Sequence, residues 1–481
     1  MKVLLVSAEV APFAKVGGLA DVAGSLPKAL AELGLDIRVI MPKYPQVVER
    51  APDRWRALAG CPVHMAGWTS GCALDEYRLP GSDVPIYFVE HNDYFNRPYV
   101  YGPPGSSYSD NLERLTFLCR TTLAVLEPLN WQPDVIHLND WHTSLIAVYL
   151  KQPGAPAIAS VFTAHNLGAD YQGIFGTDRL PSTGLTPKDV GVALMLQKKQ
   201  INLARAGLAC ADMVNTVSEE YAREILTQKF GPGVNDLVKK RGKDVWGILN
   251  GIDYDTWNPA TDPALAAHFS AQDLSGKAAC KRALQQIARL PVDDKVPVIG
   301  MVTRLDAQKG LDLVASVLPQ ITHAQLVILG TGDHRLETVF GEAAAKRTNI
   351  AAFIAFDDKL ARQIYAGADM FLMPSRYEPC GLGQMIALAY GTVPVVRATG
   401  GLDDTIQEKP AQSRPQNGFK FAPYTTRALL DTINRAVGVF TREPDRWRQI
   451  VANAFASDFS WHRSAARYVE LYQAAVSKRS G

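Results

Sequence analysis

Twice along this chain a short, unbroken apolar run gives way to a polar loop carrying lysine and glycine, and each loop opens into helical spacing. The first run, Val3-Leu4-Leu5-Val6, precedes Lys15-Val16-Gly17-Gly18-Leu19-Ala20-Asp21. The second, Val298-Ile299-Gly300-Met301-Val302, precedes Arg304-Leu305-Asp306-Ala307-Gln308-Lys309-Gly310. A strand that is apolar at every position is buried on both faces, which calls for a parallel sheet covered by helices. A loop entering a helix aims backbone N–H groups and the positive end of the helix dipole at an anion. The pair predicts an active site in a cleft between two α/β domains.

The rest of the chain extends this pattern. Further strands are expected at Ile37–Met41, Val84–Val89, Val135–Leu138 and Ile158–Thr163, and a helix over Leu19–Leu33 stopping at Gly34. In the second half, strands are expected at Gln325–Leu329, Ala351–Ala355, Met370–Met373 and Val393–Val396. Helices are expected at Leu311–Leu318, Lys359–Gly367 and Gly383–Tyr390. The turn-rich Asn250-Gly251-Ile252-Asp253 marks a boundary, giving domains at 1–247 and 248–458. A terminal helix within 459–481 is expected to dock back across the junction. The Gly-, Pro- and Tyr-rich stretch from Arg97 to Asp110 reads as a long loop of the kind that often carries function.

Composition narrows the partners. A net charge of +2 gives no reason to expect nucleic acid or a membrane surface. The six cysteines form no C-x-x-C pair and no zinc spacing, as expected of reduced thiols in a cytoplasmic protein. Neither a signal peptide nor a membrane-spanning apolar run is evident.

Several clusters carry chemistry. Gly17 and Gly18 allow close backbone approach to a ligand, and Lys15 supplies a point charge; the alternative is a plain glycine turn. This loop is not G-x-G-x-x-G, which disfavours a nicotinamide enzyme. Arg304 can grip a diphosphate through parallel hydrogen bonds while Lys309 adds charge, and two cations at a helix start oppose its dipole unless an anion binds there. Glu378, followed by Pro379-Cys380-Gly381-Leu382-Gly383, sits beyond a strand end where a carboxylate can accept from sugar hydroxyls; its alternative is a helix cap. Cys380 is either a reactive thiol or small packing. Asn139-Asp140-Trp141-His142 and Thr163-Ala164-His165-Asn166 each end a strand, where open parallel sheets bind ligands. The spacing of His137, His142 and His165 fits no metal pattern. Asp253-Tyr254-Asp255 formally matches a D-x-D metal motif, but its place after an Asn-Gly turn favours a structural role.

These segments, with Tyr108-Ser-Asp-Asn111, Thr216-Val-Ser218, Trp257-Asn-Pro-Ala-Thr-Asp262, Thr399-Gly-Gly-Leu402 and Phe459-Ser-Trp461, resemble in order and number the bacterial-type glycogen synthases, kin to plant starch synthases. The resemblance implies a GT-B fold, two Rossmann-like domains facing across a cleft. It implies transfer of glucose from ADP-glucose to the non-reducing end of an α-1,4-glucan such as glycogen, with retention of configuration and no required metal or other cofactor. Carried over by position, Lys15, Arg304 and Lys309 hold the diphosphate, with backbone donors at Gly17 and Gly18. Glu378, Cys380, Gly381 and Leu382 bind the donor glucose, and His165 sits beside the reacting sugar. Asp21, Asp140, Trp141, Asn166 and Asn250 complete the glucose and acceptor side.

Departures from the family pattern are Val16 for Thr, Asn139 for His, Gly383 for Thr, the inserted Gly168-Ala169-Asp170, Asn202-Leu-Ala-Arg205-Ala-Gly207, and Ile386 where the wider superfamily has a second Glu. They bear on donor base and acceptor, so UDP-glucose or another acceptor remains an alternative. A non-catalytic sugar-nucleotide or glucan-binding protein would be favoured by loss of Lys15, Arg304, Lys309 or Glu378, and all four are present.

Overall fold

The computed structural model describes residues 1–103, 105–410 and 415–480. It divides into two compact units, Met1–Gly251 joined by the helix that begins at Trp461, and Ile252–Ser460.

The first unit contains β1 (Lys2–Val6), β2 (Asp36–Pro42), β3 (Trp55–His64), β4 (Thr69–Arg78), β5 (Pro85–Glu90), β6 (Val135–Asn139) and β7 (Ala159–Ala164). It continues with β8 (Ile174–Gly176), β9 (Leu196–Gln197), β10 (Gln200–Asn202), β11 (Met213–Thr216) and β12 (Val245–Gly247). Nine of these form one sheet in the order β12-β11-β7-β6-β1-β2-β5-β4-β3, while β8-β10-β9 make a small antiparallel sheet. Val3, Leu5, Val6, Val135, Ile136 and Leu138 are completely buried, as strands covered on both faces require. The helix Gly18–Glu32 buries Leu19, Val22, Ala23, Leu26 and Leu30 at helical spacing. Each such fully buried leucine or valine contributes about 1.5–3 kcal/mol. Gly34, at φ +85°, turns the chain away after that helix.

The expectation of a parallel sheet fails at one edge, where β5, β4 and β3 pair antiparallel. The cause is legible in retrospect. The end of β3 alternates buried and exposed residues from Cys61 to His64, as a half-covered edge strand does. Gly60, Pro62 and Gly71 interrupt the apolar signal that a longer run would give.

The last helix, Trp461–Ser480, packs on the helix Gly18–Glu32 and on β7, and so belongs to the first unit. Two buried polar contacts fix it: Tyr472 Oη lies 2.9 Å from His137 Nδ1, and Asn215 Nδ2 donates to Tyr468 Oη at 3.0 Å.

The second unit holds β13 (Val298–Val302), β14 (Gln325–Leu329), β15 (Ile350–Phe353), β16 (Met370–Met373), β17 (Val393–Arg397) and β18 (Phe419–Phe421). All pair parallel, in the order β15-β14-β13-β16-β17-β18. Each large sheet therefore has a point where strand order reverses, between β1 and β6 in the first and between β13 and β16 in the second. Loops leaving the carboxyl ends on either side of such a point part from each other and leave a crevice. Among the described residues, no helix is long and apolar enough to cross a membrane.

Candidate functional site

At the β1/β6 switch point the chain runs from Val6 through Ser7-Ala8-Glu9 to the Lys15 loop. Glu9 is only 4% exposed. Its Oε2 accepts from the backbone N–H of Val16 at 2.6 Å and of Gly17 at 3.0 Å, and its Oε1 accepts from Tyr101 Oη at 2.9 Å. The Gly17 amide, expected to serve a ligand, is thus directed at a carboxylate of the same loop. Gly18 is the first residue of its helix, where N–H groups lack acceptors within the helix. Lys15 Nζ lies 2.7 Å from Asp21 Oδ1, so the cation assigned to phosphate and the carboxylate assigned to sugar pair with each other across one helical turn.

The β6 end contributes Asp140, whose backbone sits at φ +57°. A non-glycine residue there is strained, and such strain concentrates at functional sites. Asp140 N donates to Thr163 O at 2.9 Å, and Asp140 Oδ1 accepts from His165 N at 2.7 Å. Burial pushes the Asp140 carboxyl up to about 7, against the pull of the His165 and Asn166 amides and with a smaller push from Glu9. His165 Nε2 donates to Asn139 Oδ1 at 2.9 Å, because Asn139 Nδ2 is itself donating to Val6 O. Burial lowers His165 to about 3, so the ring is neutral and its Nδ1 is the acceptor nitrogen. Trp141 packs on His142 and Phe175, and Gly173, at φ +64°, admits the indole face because a Cβ there would stand 2.2 Å from it. His142 in turn stacks on Tyr101, linking this strand end to Glu9.

Two assigned residues place no side-chain hydrogen bond in this group. Asn166 turns its Oδ1 back to Gly168 N. Asn250 follows β12, three strands from β6, and is 5% exposed with an Oδ1 that has no hydrogen-bond partner among the described residues.

In the second unit the β13/β16 switch point brings Lys309 and Glu378 together. Lys309 Nζ donates to both carboxylate oxygens, at 2.9 and 2.8 Å, and Ser375 Oγ adds a third bond to Glu378 Oε2 at 2.9 Å. Four constraints hold this geometry. Asp306 Oδ1 caps the turn by accepting from Lys309 N at 3.2 Å, and Arg304 Nη2 lies 3.2 Å from Asp306 Oδ2. Gly310, at φ +71°, lets the loop pass Pro374, whose carbonyl oxygen would lie 2.0 Å from an added Cβ. Buried Arg397 donates to the carbonyls of Ser375 and Arg376. Gly400 and Gly401 allow their helix to seat against the carbonyls of Glu378 and Cys380, where a Cβ would come within 2.0 Å. Gly381 is left-handed beside Glu378, Leu382 precedes the helix Gly383–Ala389, and Cys380 is buried at 5% exposure. Cys380 lies three residues ahead of that short helix and is buried, which favours packing over reactivity.

Asp253 accepts from the amides of Asp255 and Thr256 and from Thr256 Oγ1, so its carboxylate caps a turn. Among the described residues, no three His, Cys, Asp or Glu side chains converge as metal ligands. Sequence reasoning passed over Glu9, Tyr101 and Arg397. Glu9 lies three residues past a strand expected to point at the ligand, and Tyr101 falls inside the loop already marked as functional, so both carried a positional signal. Arg397 carried none.

Chemically, the first unit offers a neutral imidazole, a carboxyl balanced near neutrality and an aromatic face. The second offers two cations and a rigid carboxylate. Residues 2–240 match the family model of the starch synthase catalytic domain, and residues 296–438 match that of glycosyl transferases group 1. The chain is 43% identical to a glycogen synthase of Geotalea daltonii, with both chains fully covered. It is 46% identical to a glycogen synthase of Moorella thermoacetica, covering all of this chain and 98% of the other. The catalytic domain of starch synthase IV from Arabidopsis thaliana, solved bound to ADP and acarbose, superposes with a TM-score of 0.90 at 32% identity over 99% of each chain. A sucrose-phosphate synthase from Thermosynechococcus elongatus shares the fold, with a TM-score of 0.63 at 20% identity. With the GT-B architecture and relatives matched from end to end, this chain belongs to the bacterial-type glycogen synthase family of glycosyltransferases.

Proposed function

We propose that the protein elongates an α-1,4-glucan by transferring glucose from ADP-glucose to its non-reducing end with retention of configuration. The observation that carries this reading is the Lys309–Glu378 pair at the β13/β16 switch point, set in a chain related to glycogen synthases over its whole length. Arg304 and Lys309 take the diphosphate, with Lys15 adding charge. Glu378 accepts from the donor glucose hydroxyls. Stabilising the departing diphosphate with fixed cations is the main catalytic contribution, because preorganised charge needs no reorganisation as the bond breaks. Neutral His165 accepts a hydrogen bond at Nδ1 from the reacting sugar, and Asp140 and Trp141 bind on the acceptor side. The ADP- and acarbose-bound starch synthase supports this choice of nucleotide and glucan. The reaction runs in the cytoplasm and needs no metal.

The test is glucose incorporation into glycogen from ADP-glucose and UDP-glucose in parallel, each with and without chelator. Preferential transfer from ADP-glucose, unaffected by chelator, is expected. Transfer from UDP-glucose alone changes the donor. Abolition by chelator overturns the metal-free mechanism, and binding of a sugar nucleotide without transfer to any glucan makes the protein a binder.

A further inference from the structure

We infer that Glu9 is the positioning residue of the Lys15 loop, an internal hydrogen-bond acceptor that occupies the nest formed by the Val16 and Gly17 amides and so decides which groups the loop presents to substrate. Successive backbone N–H groups in a loop ahead of a helix make a concavity suited to an anion. Here the concavity is filled from within, because a single oxygen of Glu9 receives both amides while the other receives Tyr101 Oη. The Glu9 backbone is fixed as well: Ser7 Oγ donates to the Glu9 carbonyl O at 2.6 Å, and Glu9 N donates to Ser7 Oγ at 3.4 Å. The same short segment is pinned to the helix that follows, since Ala11 N donates to Ala20 O at 2.9 Å and a Cβ on Gly24 would stand 2.4 Å from Ala11 O.

The consequence is a division of labour within seven residues. The amides of Val16 and Gly17 are closed to a ligand. What faces outward is Lys15, whose side chain is 45% exposed, and the amide-bearing start of the helix at Gly18. A loop with two flexible glycines would otherwise sample many conformations. Tying its central amides to a buried carboxylate preorganises the cation, so less ordering cost falls on substrate binding.

The inference rests on the sugar-nucleotide reading above, and the experiment separates the two. Donor and glucan KM and kcat are measured for the wild type, Glu9→Ala and Glu9→Gln. Gln keeps an acceptor oxygen for both amides and can donate to Tyr101 Oη, so it preserves the loop without the charge. For Glu9→Ala, a rise of about thirtyfold or more in the sugar-nucleotide KM is expected, with the glucan KM within about threefold. Glu9→Gln is expected to restore the donor KM to within about threefold of wild type. A folded Glu9→Ala protein with an unchanged donor KM overturns the inference. So does a Glu9→Gln donor KM that stays raised by thirtyfold, and this outcome is readable even where Glu9→Ala fails to fold. A wild type that transfers glucose from no nucleotide donor removes the functional reading itself.

Discussion

Removing the Lys309 ammonium should damage stability and activity for different reasons, and the structure allows the two to be separated. Glu378 is 5% exposed and receives two bonds from Lys309 Nζ and one from Ser375 Oγ. Lys309→Ala leaves that carboxylate with one hydroxyl partner and no countercharge. Stripping one member from a buried pair costs about 3–5 kcal/mol. The Lys309 side chain keeps 17% exposure, so water partly compensates and the lower end, about 3 kcal/mol, applies here. At roughly 2–4 °C per kcal/mol for a unit of this size, the melting temperature should fall by about 6–12 °C. Adding Glu378→Gln removes the stranded charge, and the double variant should recover at least about 1.5 kcal/mol as coupling between adjacent sites. Turnover follows another course. Loss of a fixed donor to the leaving group costs about 10²–10³ in rate, and Glu378→Gln cannot replace it. The assay is a double-mutant cycle read twice, by guanidinium denaturation and by glucosyl transfer at saturating donor. Additive stabilities would refute the buried-pair argument. Recovery of turnover in the double variant would refute the assignment of Lys309 to the leaving diphosphate.

Other perturbations follow from single features of the structure. Gly310→Ala should cost about 1–2 kcal/mol from its left-handed backbone alone, and more from a Cβ placed 2.0 Å from Pro374 O; a donor affinity equal to wild type would show that the loop can move aside. Gly173→Ala should push the Trp141 indole out of place and raise the glucan KM while sparing the donor KM, and an unchanged glucan KM would remove Trp141 from the acceptor side. Stability should depend on pH with two opposing slopes. His137, His142 and His165 are lowered to about 3, so the unfolded chain binds more protons below its ordinary imidazole range, and stability from these groups rises with pH from about 3 to 6.5. Asp140 is raised to about 7, so the folded state holds the extra proton, and stability from this group falls as pH rises from about 4 to 7; Glu9, also raised by burial, opposes the histidines in the same sense. Asp140→Asn removes its opposing contribution and should raise the slope of stability against pH by up to about 1.4 kcal/mol per pH unit between pH 4 and 6.5, measured as guanidinium midpoints. Identical slopes in the two proteins would mean that Asp140 ionises normally.

The contrast between the two units shows what kind of information each site needed. The Lys309–Glu378 site is assembled from loops at neighbouring strand ends, and both loops follow strands that the apolar runs located residue for residue, at Val298–Val302 and Met370–Met373. The first-unit site depends on contacts that no spacing encodes. Tyr101 reaches Glu9 across 92 positions, and Asn139 reaches His165 across 26. The antiparallel edge formed by β3 and β4 escaped for a related reason, since a half-exposed strand broken by Gly60 and Pro62 emits a weak apolar signal.

By itself, the sequence determined the local part. Unbroken apolar runs required buried parallel strands, because such strands leave no polar face for water. Glycines and lysines just beyond them required loops able to meet an anion, and the ordered motifs named the family. Tertiary structure alone decided how charge is distributed among those loops. It spent the Gly17 amide on Glu9, paired Lys15 with Asp21 and Lys309 with Glu378, and balanced the Asp140 carboxyl near neutrality. The reason is physical. Propensity and hydrophobic pattern act over a few residues, whereas hydrogen bonding and desolvation depend on which distant strands the fold places side by side.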